Sequence, residues 1–233
     1  MPQRWTTCFA VAVLVAATAV VGTAQQESIE DLRARAEQGD AAAQYNLGWM
    51  YANGVGVPED DVEAMRWYRL AADQGDARAQ CNLGIMYDTG EGVPQDHAEA
   101  LRWYRLAADQ GTARAQFNLG LMYANGLSVP QDDVEAVRWY RLAADQGYSE
   151  AQFNLGATYA NGHGVLQDDV QAYMWFNLAA SRLTGTKREE GAKARDQIAS
   201  RLTPDQRAEA QRLAREWDEA NPREPEPPSP LNR

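Results

Sequence analysis

The stretch that decides the fold is residues 39–74, which read GDAAAQYNLGWMYANGVGVPEDDVEAMRWYRLAADQ. The same pattern returns without gaps over residues 75–110, 111–146 and 147–182. In all four copies 15 of the 36 columns are identical, which chance does not produce. Such a period predicts a protein built from stacked supersecondary units, each too small to bury its apolar face alone.

Each copy reads as two helices joined by a loop rich in helix breakers. The first helix is predicted from about Asp40 to Ala52, where the invariant residues share one face at about 100° per residue. An Asn-Gly pair at Gly54 then ends it. The second helix is predicted to start at Asp60, because an aspartate followed three residues later by Glu63 has the spacing of a capping box.

The invariant columns are expected to hold the copies together. On the second helix, Trp67 shares a face with Leu70 and Ala71, so one tryptophan per copy is predicted to point inward. The mid-helix glycine Gly48 costs about 1 kcal/mol relative to alanine, which implies that the partner helix approaches closely there. The predicted structural anchors are Leu47, Gly48, Tyr51, Trp67, Leu83, Gly84, Tyr87, Trp103, Leu119, Gly120, Tyr123, Trp139, Leu155, Gly156, Tyr159 and Trp175.

The predicted fold class is all-α, a right-handed α-solenoid of stacked helix–loop–helix repeats. Residues 25–38 resemble the end of a second helix and are predicted to cap the N-terminal edge. After the repeats, residues 183–221 are predicted to form C-terminal capping helices, one of them opened by a capping box at Thr203 with proline in its first turn. Residues 222–233 hold five prolines and are predicted to be a disordered tail.

Residues 1–24 differ from the rest of the chain. Arg4 is their one charge, residues 9–21 are almost entirely apolar, and residues 22–24 are small. This pattern predicts a signal peptide cleaved after Ala24, and therefore a periplasmic or secreted protein. The alternative is an uncleaved inner-membrane anchor formed by residues 6–24, which reach the lower limit for spanning a bilayer.

The charge balance restricts the partners. The formal net charge is −11, and it becomes −12 when residues 1–24 are removed. Such a surface repels nucleic acid and anionic lipid, so we expect neither partner unless the leader keeps the protein at a membrane, and a basic partner would suit it. The remaining cysteine, Cys81, is interpreted as a packed thiol, with an intermolecular disulfide as the alternative. We expect a monomer.

The repeated pattern resembles the Sel1-like repeat, a relative of the tetratricopeptide repeat. The residues that carry the resemblance in the first copy are Ala43, Leu47, Gly48, Tyr51, Gly54, Gly56, Val57, Asp60, Ala64, Trp67, Tyr68, Ala71 and Ala72. Copies three and four depart from it at Ser128, Leu166 and Phe176. The resemblance implies adaptor or regulatory work through protein–protein contacts; exported bacterial members look like envelope regulators, cell-surface factors or host-contact proteins. Cysteine-rich members have been linked to β-lactam binding, but this chain lacks their disulfides.

Residues with catalytic or metal-binding chemistry are sparse. The two histidines, His97 and His163, occupy different columns and are interpreted as exposed variable positions. No hydrolase, metalloprotease or nucleotide-binding motif is present, so we expect no cofactor, no metal and no catalysis. The expected function is a binding scaffold of the bacterial envelope. The alternatives are a weak binder or hydrolase of β-lactam or cell-wall compounds, and a structural cell-surface or secreted effector.

The columns that vary between copies indicate where a partner binds. On the first helix they lie opposite the invariant face and are apolar or aromatic with arginines beside them, a composition typical of interface anchors. We hypothesise that they receive an extended or helical peptide, together with the invariant asparagines. Packing between adjacent repeats is the alternative interpretation. The candidate residues are Tyr45, Asn46, Trp49, Arg78, Asn82, Ile85, Arg114, Phe117, Asn118 and Leu121.

Overall fold

The computed structural model describes residues 29–222, so the predicted signal peptide and all of the predicted tail except Pro222 lie outside the described residues. Within that range the chain is helical and forms two compact units that meet in sequence between Asp76 and Ala77. Unit 1 holds helix α1 (29–37) and the hairpin of α2 and α3. Unit 2 holds three further hairpins and two final helices. Their bounds are α2 Ala41–Asn53, α3 Asp61–Asp73, α4 Ala77–Thr89, α5 His97–Asp109, α6 Ala113–Asn125, α7 Asp133–Asp145, α8 Ser149–Asn161, α9 Asp169–Arg182, α10 Gly185–Ala199 and α11 Pro204–Ala220.

The second helix of each hairpin begins with an aspartate cap. In α3 the Asp60 carboxylate accepts hydrogen bonds from the backbone N–H groups of Val62 and Glu63, both at 3.0 Å. The predicted reciprocal bond from Glu63 to Asp60 is not made. The N–H of Asp60 already donates to the Tyr51 carbonyl at 3.0 Å, and Glu63 binds Arg66 instead. The cap therefore also ties the second helix to the first.

The mid-helix glycines make room for an aromatic ring of the second helix. A Cβ atom placed on Gly120 would lie 2.6 Å from the Tyr140 ring, and one on Gly48 would lie 2.8 Å from the Tyr68 ring. A real side chain cannot occupy that space without moving the ring. The close approach predicted from the sequence is therefore an aromatic ring packed against a helix backbone.

Within each unit, glutamine side chains join a hairpin to the helix that precedes it. In unit 2, Gln116 donates from its amide to the Ala108 carbonyl at 3.3 Å and accepts from Gln146 at 2.7 Å. Gln116 is buried, so these bonds satisfy a polar group that would otherwise be costly to bury. In unit 1, Gln44 bonds the Ala36 carbonyl at 3.0 Å, so α1 takes the place of a preceding second helix.

Successive hairpins of unit 2 pack through neighbouring helices, α5 on α6 and α7 on α8, while α9 packs against both α10 and α11. The leucine column of the second helices departs from the prediction. Leu106 and Leu142 are about two-fifths exposed rather than inward, whereas Leu178 in α9 is buried. Leu178 shares an apolar cluster with Ala214 and Trp217 of α11, which covers this part of α9.

Helix α11 starts with the predicted capping box at Thr203, whose hydroxyl accepts from the Gln206 backbone while the Gln206 side chain accepts from Thr203. Its far end is held by Arg182, which bonds the Asp218 carboxylate and the Asn221 carbonyl. The Arg182 guanidinium also lies 4.9 Å from the centre of the Trp217 ring. Arg182 stands where the earlier copies have glutamine, so copy four exchanges the glutamine bond for contacts with α11.

Candidate partner-binding surface

The first helices of unit 2 place the candidate binding residues on one side of the hairpins. Helix α4 contacts α6 directly, and α6 and α8 both contribute to one cavity. We name the partly exposed side chains of α4, α6 and α8 the first-helix face. Of its predicted members, Arg78 and Arg114 are exposed, and the others are half-buried: Asn82, Ile85, Phe117, Asn118 and Leu121.

Three of the predicted binding residues belong to unit 1. Tyr45, Asn46 and Trp49 are half-buried there, and the Tyr45 ring packs against Tyr68 with 5.8 Å between ring centres. Tyr45 therefore serves the packing of its own hairpin while part of its ring stays accessible. Neither Trp49 nor Phe117 is fully buried, so both stay available to a partner.

The aromatic side chains of the first-helix face are supported from below by other rings. Phe117 lies 5.9 Å from the Tyr140 ring and 5.2 Å from the Tyr148 ring, in tilted arrangements. Phe153 of α8 meets Phe176 edge to face at 5.3 Å. Ring pairs at these separations contribute about 0.5–1.5 kcal/mol beyond their buried area. Phe117 and Phe153 are thus held in defined positions while part of each ring remains open.

A small cavity opens between these two phenylalanines. Its volume is about 130 Å³, below the roughly 300–1000 Å³ of pockets that hold small molecules. Its size suits one apolar side chain. It is lined by Phe117, Glu150, Phe153, Asn154, Leu183, Lys187 and Glu190.

An ion pair borders the cavity. Lys187 of α10 donates to the Glu150 carboxylate at 2.9 Å. Burial opposes ionisation of Glu150, but hydrogen bonds from Lys187, from its own backbone N–H and from Ser149 outweigh it and lower the pKa of that carboxyl. Glu150 is therefore charged near neutral pH and holds α10 over the end of the first-helix face.

The invariant asparagines are partly committed to tyrosine hydroxyls. The Asn118 amide hydrogen-bonds Tyr104, and Asn154 hydrogen-bonds Tyr140. Burial raises the pKa of Tyr140 to about 12 and that of Tyr104 further, and each asparagine bond opposes the rise. These bonds link a first helix to the preceding second helix, which is a structural role. They leave the peptide-clamping role of the asparagines a prediction.

Cys81 is more deeply packed than its variable column suggests. It is 3% exposed, within an apolar cluster that includes Leu101 and Tyr104. Burial raises the pKa of the thiol to about 11, although the nearby charge of Arg114 opposes the shift. A neutral, covered thiol is a poor nucleophile and a poor partner for an intermolecular disulfide.

The second helices carry arginines that are already engaged. Arg102 bonds Glu99 at 3.0 Å and lies 4.0 Å from the centre of the Trp103 ring. Arg105 donates to the Tyr123 hydroxyl at 2.7 Å. These second-helix arginines are therefore used in contacts within a hairpin and with the first helix of the next hairpin.

The histidines do not come together. His97 lies 2.8 Å from the Asp88 carboxylate, with about a third of each side chain exposed, and His163 is exposed in a loop. Across residues 29–222, no group of three His, Cys, Asp or Glu side chains is arranged to hold a metal ion. None of the helices in that range has the length and apolarity needed to cross a bilayer.

A second cavity lies beside the start of α8 and was not anticipated. It has a volume of about 590 Å³ and a largely polar lining of Asp145, Gln146, Gly147, Ser149, Arg182, Asn221 and Pro222. Burial raises the pKa of Asp145. The charge of Arg141 and a hydrogen bond with Trp217 oppose this rise. The sequence signal that could have indicated it is Arg182, where three earlier copies have glutamine.

The chain is similar to proteins of known fold. The Sel1 repeat family model matches residues 41–76, 77–112, 113–148 and 149–182. A protective antigen of uropathogenic Escherichia coli strains, with an SLR fold, is 38% identical with a TM-score of 0.77, over 83% of this chain and 41% of that one. A Sel1 repeat protein from Oxalobacter formigenes is 32% identical with a TM-score of 0.68, over 82% of this chain and 79% of that one.

The extent of these matches differs. The chain spans about two-fifths of the length of the Escherichia coli antigen. No curated protein sequence matches it. The four matched repeats, the helical hairpins that they form and the solved relatives show that this chain is a member of the Sel1 repeat family.

Proposed function

We propose that this protein is a non-catalytic scaffold that binds a segment of a protein partner on the first-helix face of unit 2. The observation that carries the proposal is the cavity between Phe117 and Phe153, sized for one apolar side chain. Aromatic anchors that are rigidly supported and partly open are typical of interface centres. Sel1 repeats generally mediate protein–protein interaction, which agrees with this assignment.

The rest of the surface supports a protein partner rather than nucleic acid. The chain has a net charge of −11, and its second-helix arginines are bound to glutamates or tyrosines. Those contacts leave little unpaired positive charge for a phosphate backbone. An apolar cavity on an acidic protein favours a segment that contributes one buried side chain.

The place of action that we propose is the bacterial envelope or the exterior. Support comes from the sequence of residues 1–24, with its apolar run and small-residue exit. N-terminal sequencing of the protein recovered from periplasmic extract should find Gln25 as the first residue. A protein that keeps Met1 and sediments with the membrane would instead favour the anchor formed by residues 6–24.

Site-specific crosslinking in intact cells of the source tests the binding face. A photo-crosslinking amino acid at Leu121, on the first-helix face, should give a discrete adduct that mass spectrometry can identify. The matched control is the same amino acid at Leu142, which is about two-fifths exposed on a second helix. Adducts at Leu142 and none at Leu121 would overturn the assignment of the face.

A further inference from the structure

One charged side chain on the first-helix face is not used by the fold. Arg114 is exposed on α6. Among residues 29–222, no hydrogen-bonding group, acidic side chain or aromatic ring engages its guanidinium. An exposed arginine gains little from pairing with a neighbour, so a missing ion pair alone is ordinary. Its location beside the cavity makes it informative.

Arginines of the neighbouring repeats make contacts that Arg114 lacks. Arg138 pairs with Glu135 at 3.4 Å and lies 5.7 Å from the Trp139 ring. Arg141 bonds the Tyr159 hydroxyl. Arg182, at the end of copy four, bonds Asp218. Each of these arginines holds neighbouring helices or side chains together, whereas the Arg114 guanidinium makes no such contact among residues 29–222.

Arg114 is also close to the cavity. It precedes Phe117 by three residues of α6, a rise of about 4.5 Å along the helix axis. Its charge opposes the pKa rise of Tyr148, and the Tyr148 ring is 5.2 Å from Phe117. A ligand with a side chain between the phenylalanines therefore passes within reach of the guanidinium.

The acidic groups on this face do not neutralise Arg114. Glu150, one period later on α8, is bound by Lys187 and Ser149. Lys187 and Glu190 of α10 also line the cavity. The surrounding protein is strongly acidic, so an acidic segment is repelled elsewhere and attracted here. Charge complementarity at this point therefore selects a carboxylate.

We propose that Arg114 binds the side-chain carboxylate of an aspartate or glutamate in the partner, within about three positions of the apolar residue that enters the cavity, since an extended chain advances about 3.3 Å per residue. This inference rests on the proposed function and specifies the partner's chemistry. Guanidinium and carboxylate groups form the strong, charge-assisted class of hydrogen bonds. The partner segment is therefore acidic and apolar, although the protein's own net charge would favour a basic one.

The test uses a phage library that displays random 12-residue peptides with no free C-terminus. The library is selected against the wild-type protein, Arg114→Gln, and the matched control Arg138→Gln on the second-helix side. The wild type and Arg138→Gln should enrich peptides with Asp or Glu near Phe, Leu, Met or Trp. Arg114→Gln should keep the apolar preference and lose the acidic one. Circular dichroism checks that both exposed variants are folded.

A peptide selected in this way is then used to measure how much its carboxylate contributes to the binding affinity. Replacing its acidic residue with the amide should weaken binding to the wild type by about tenfold to a hundredfold, as expected when a charged hydrogen bond is lost. The same replacement should leave binding to Arg114→Gln nearly unchanged. Equal losses on both proteins would show that the carboxylate does not meet Arg114, and would overturn the inference.

The remaining outcomes separate the two proposals. Apolar peptides without acidic residues, bound by the wild type and lost in Phe117→Ala, would overturn the role of Arg114 and leave the proposed function intact. The absence of enrichment, or binding unaffected by Phe117→Ala, would overturn both. Sedimentation that shows a dimer dissociated by Arg114→Gln would make the face an interface between copies, and would also overturn the inference.

Discussion

Helices α7 and α9 are equivalent elements of consecutive repeats, yet they meet different neighbours. In α7, Arg138 and Leu142 face outward and remain exposed. In α9 the same columns hold Met174 and Leu178, and α11 covers them. The difference shows that repeats share the contacts made inside the hairpin. The residues on the outward side of the second helix change according to whether another helix covers them. A repeat position whose residue type differs from that of the other copies therefore indicates that another helix packs against it.

The largest effect is expected from restoring the repeat's arginine in α9. Met174 is 7% exposed in an apolar cluster with Ala214 and Trp217. Met174→Arg therefore buries a charged group among apolar side chains. We expect a loss of about 3–5 kcal/mol in unfolding free energy, measured with urea. The matched change Arg138→Met should alter the unfolding free energy by less than about 1 kcal/mol. Equal effects would contradict the role of α11.

Truncating the two leucines gives a second, smaller contrast. Leu178→Ala opens a cavity beneath α11 and should cost about 2–4 kcal/mol. Leu142→Ala removes a side chain that is 41% exposed and should cost less than about 1 kcal/mol. Urea unfolding of both variants checks the prediction. A Leu142→Ala loss as large as that of Leu178→Ala would mean that this part of α7 is covered too.

Exchanging Arg182 for the glutamine of the other copies sharpens the comparison further. Arg182→Gln loses the bonds to Asp218 and Asn221, but the new amide can donate to the buried Oε1 of Gln152, which has no partner in the described structure. We expect a net loss of about 1–2 kcal/mol, confined to the docking of α11. Hydrogen exchange should become faster in the last turns of α11 and not in α7. Unchanged exchange in α11 would contradict the assigned role of Arg182.

The smallest effect concerns the loops that precede these helices. Gly164, before α9, has φ of +70°, and Ser128 at the same position before α7 has φ of +57°. A residue with a Cβ atom is strained in this left-handed region by about 1 kcal/mol. Ser128→Gly should therefore raise the unfolding free energy by up to about 1 kcal/mol. A melting temperature that falls on this change would show that the serine side chain makes a compensating contact.

The helices and their ends can be predicted from the sequence, because the repeat period, the helix-capping residues and the helix-breaking residues each act on nearby backbone. Asp60 and its equivalents start helices wherever they occur, and glycine ends the first helices at Gly54, Gly126 and Gly162. The outer leucine column was predicted wrongly. On the helix wheel Leu106 lies within about 60° of the buried Trp103. The wheel does not show how far the buried face extends on either side of the tryptophan, because that depends on the neighbouring helix.

Only part of the candidate binding site can be predicted from the sequence. The variable columns identified Phe117 and Arg114, but the cavity also needs Leu183 and Lys187 from outside the repeats. No periodic pattern could bring those residues to Phe117. Arg114 did leave a signal in the sequence, because it has no acidic residue three or four positions away, whereas Arg138 has Glu135.

The central claim is that a partner binds the first-helix face of unit 2 and not the second-helix side. Hydroxyl-radical footprinting of the protein with and without a selected peptide tests it most directly, because the modification of individual side chains reports their exposure. We predict that the peptide protects Phe117, Leu121 and Phe153 while Leu106 and Leu142 stay reactive. Protection of Leu106 and Leu142 with an unchanged first-helix face would contradict the claim.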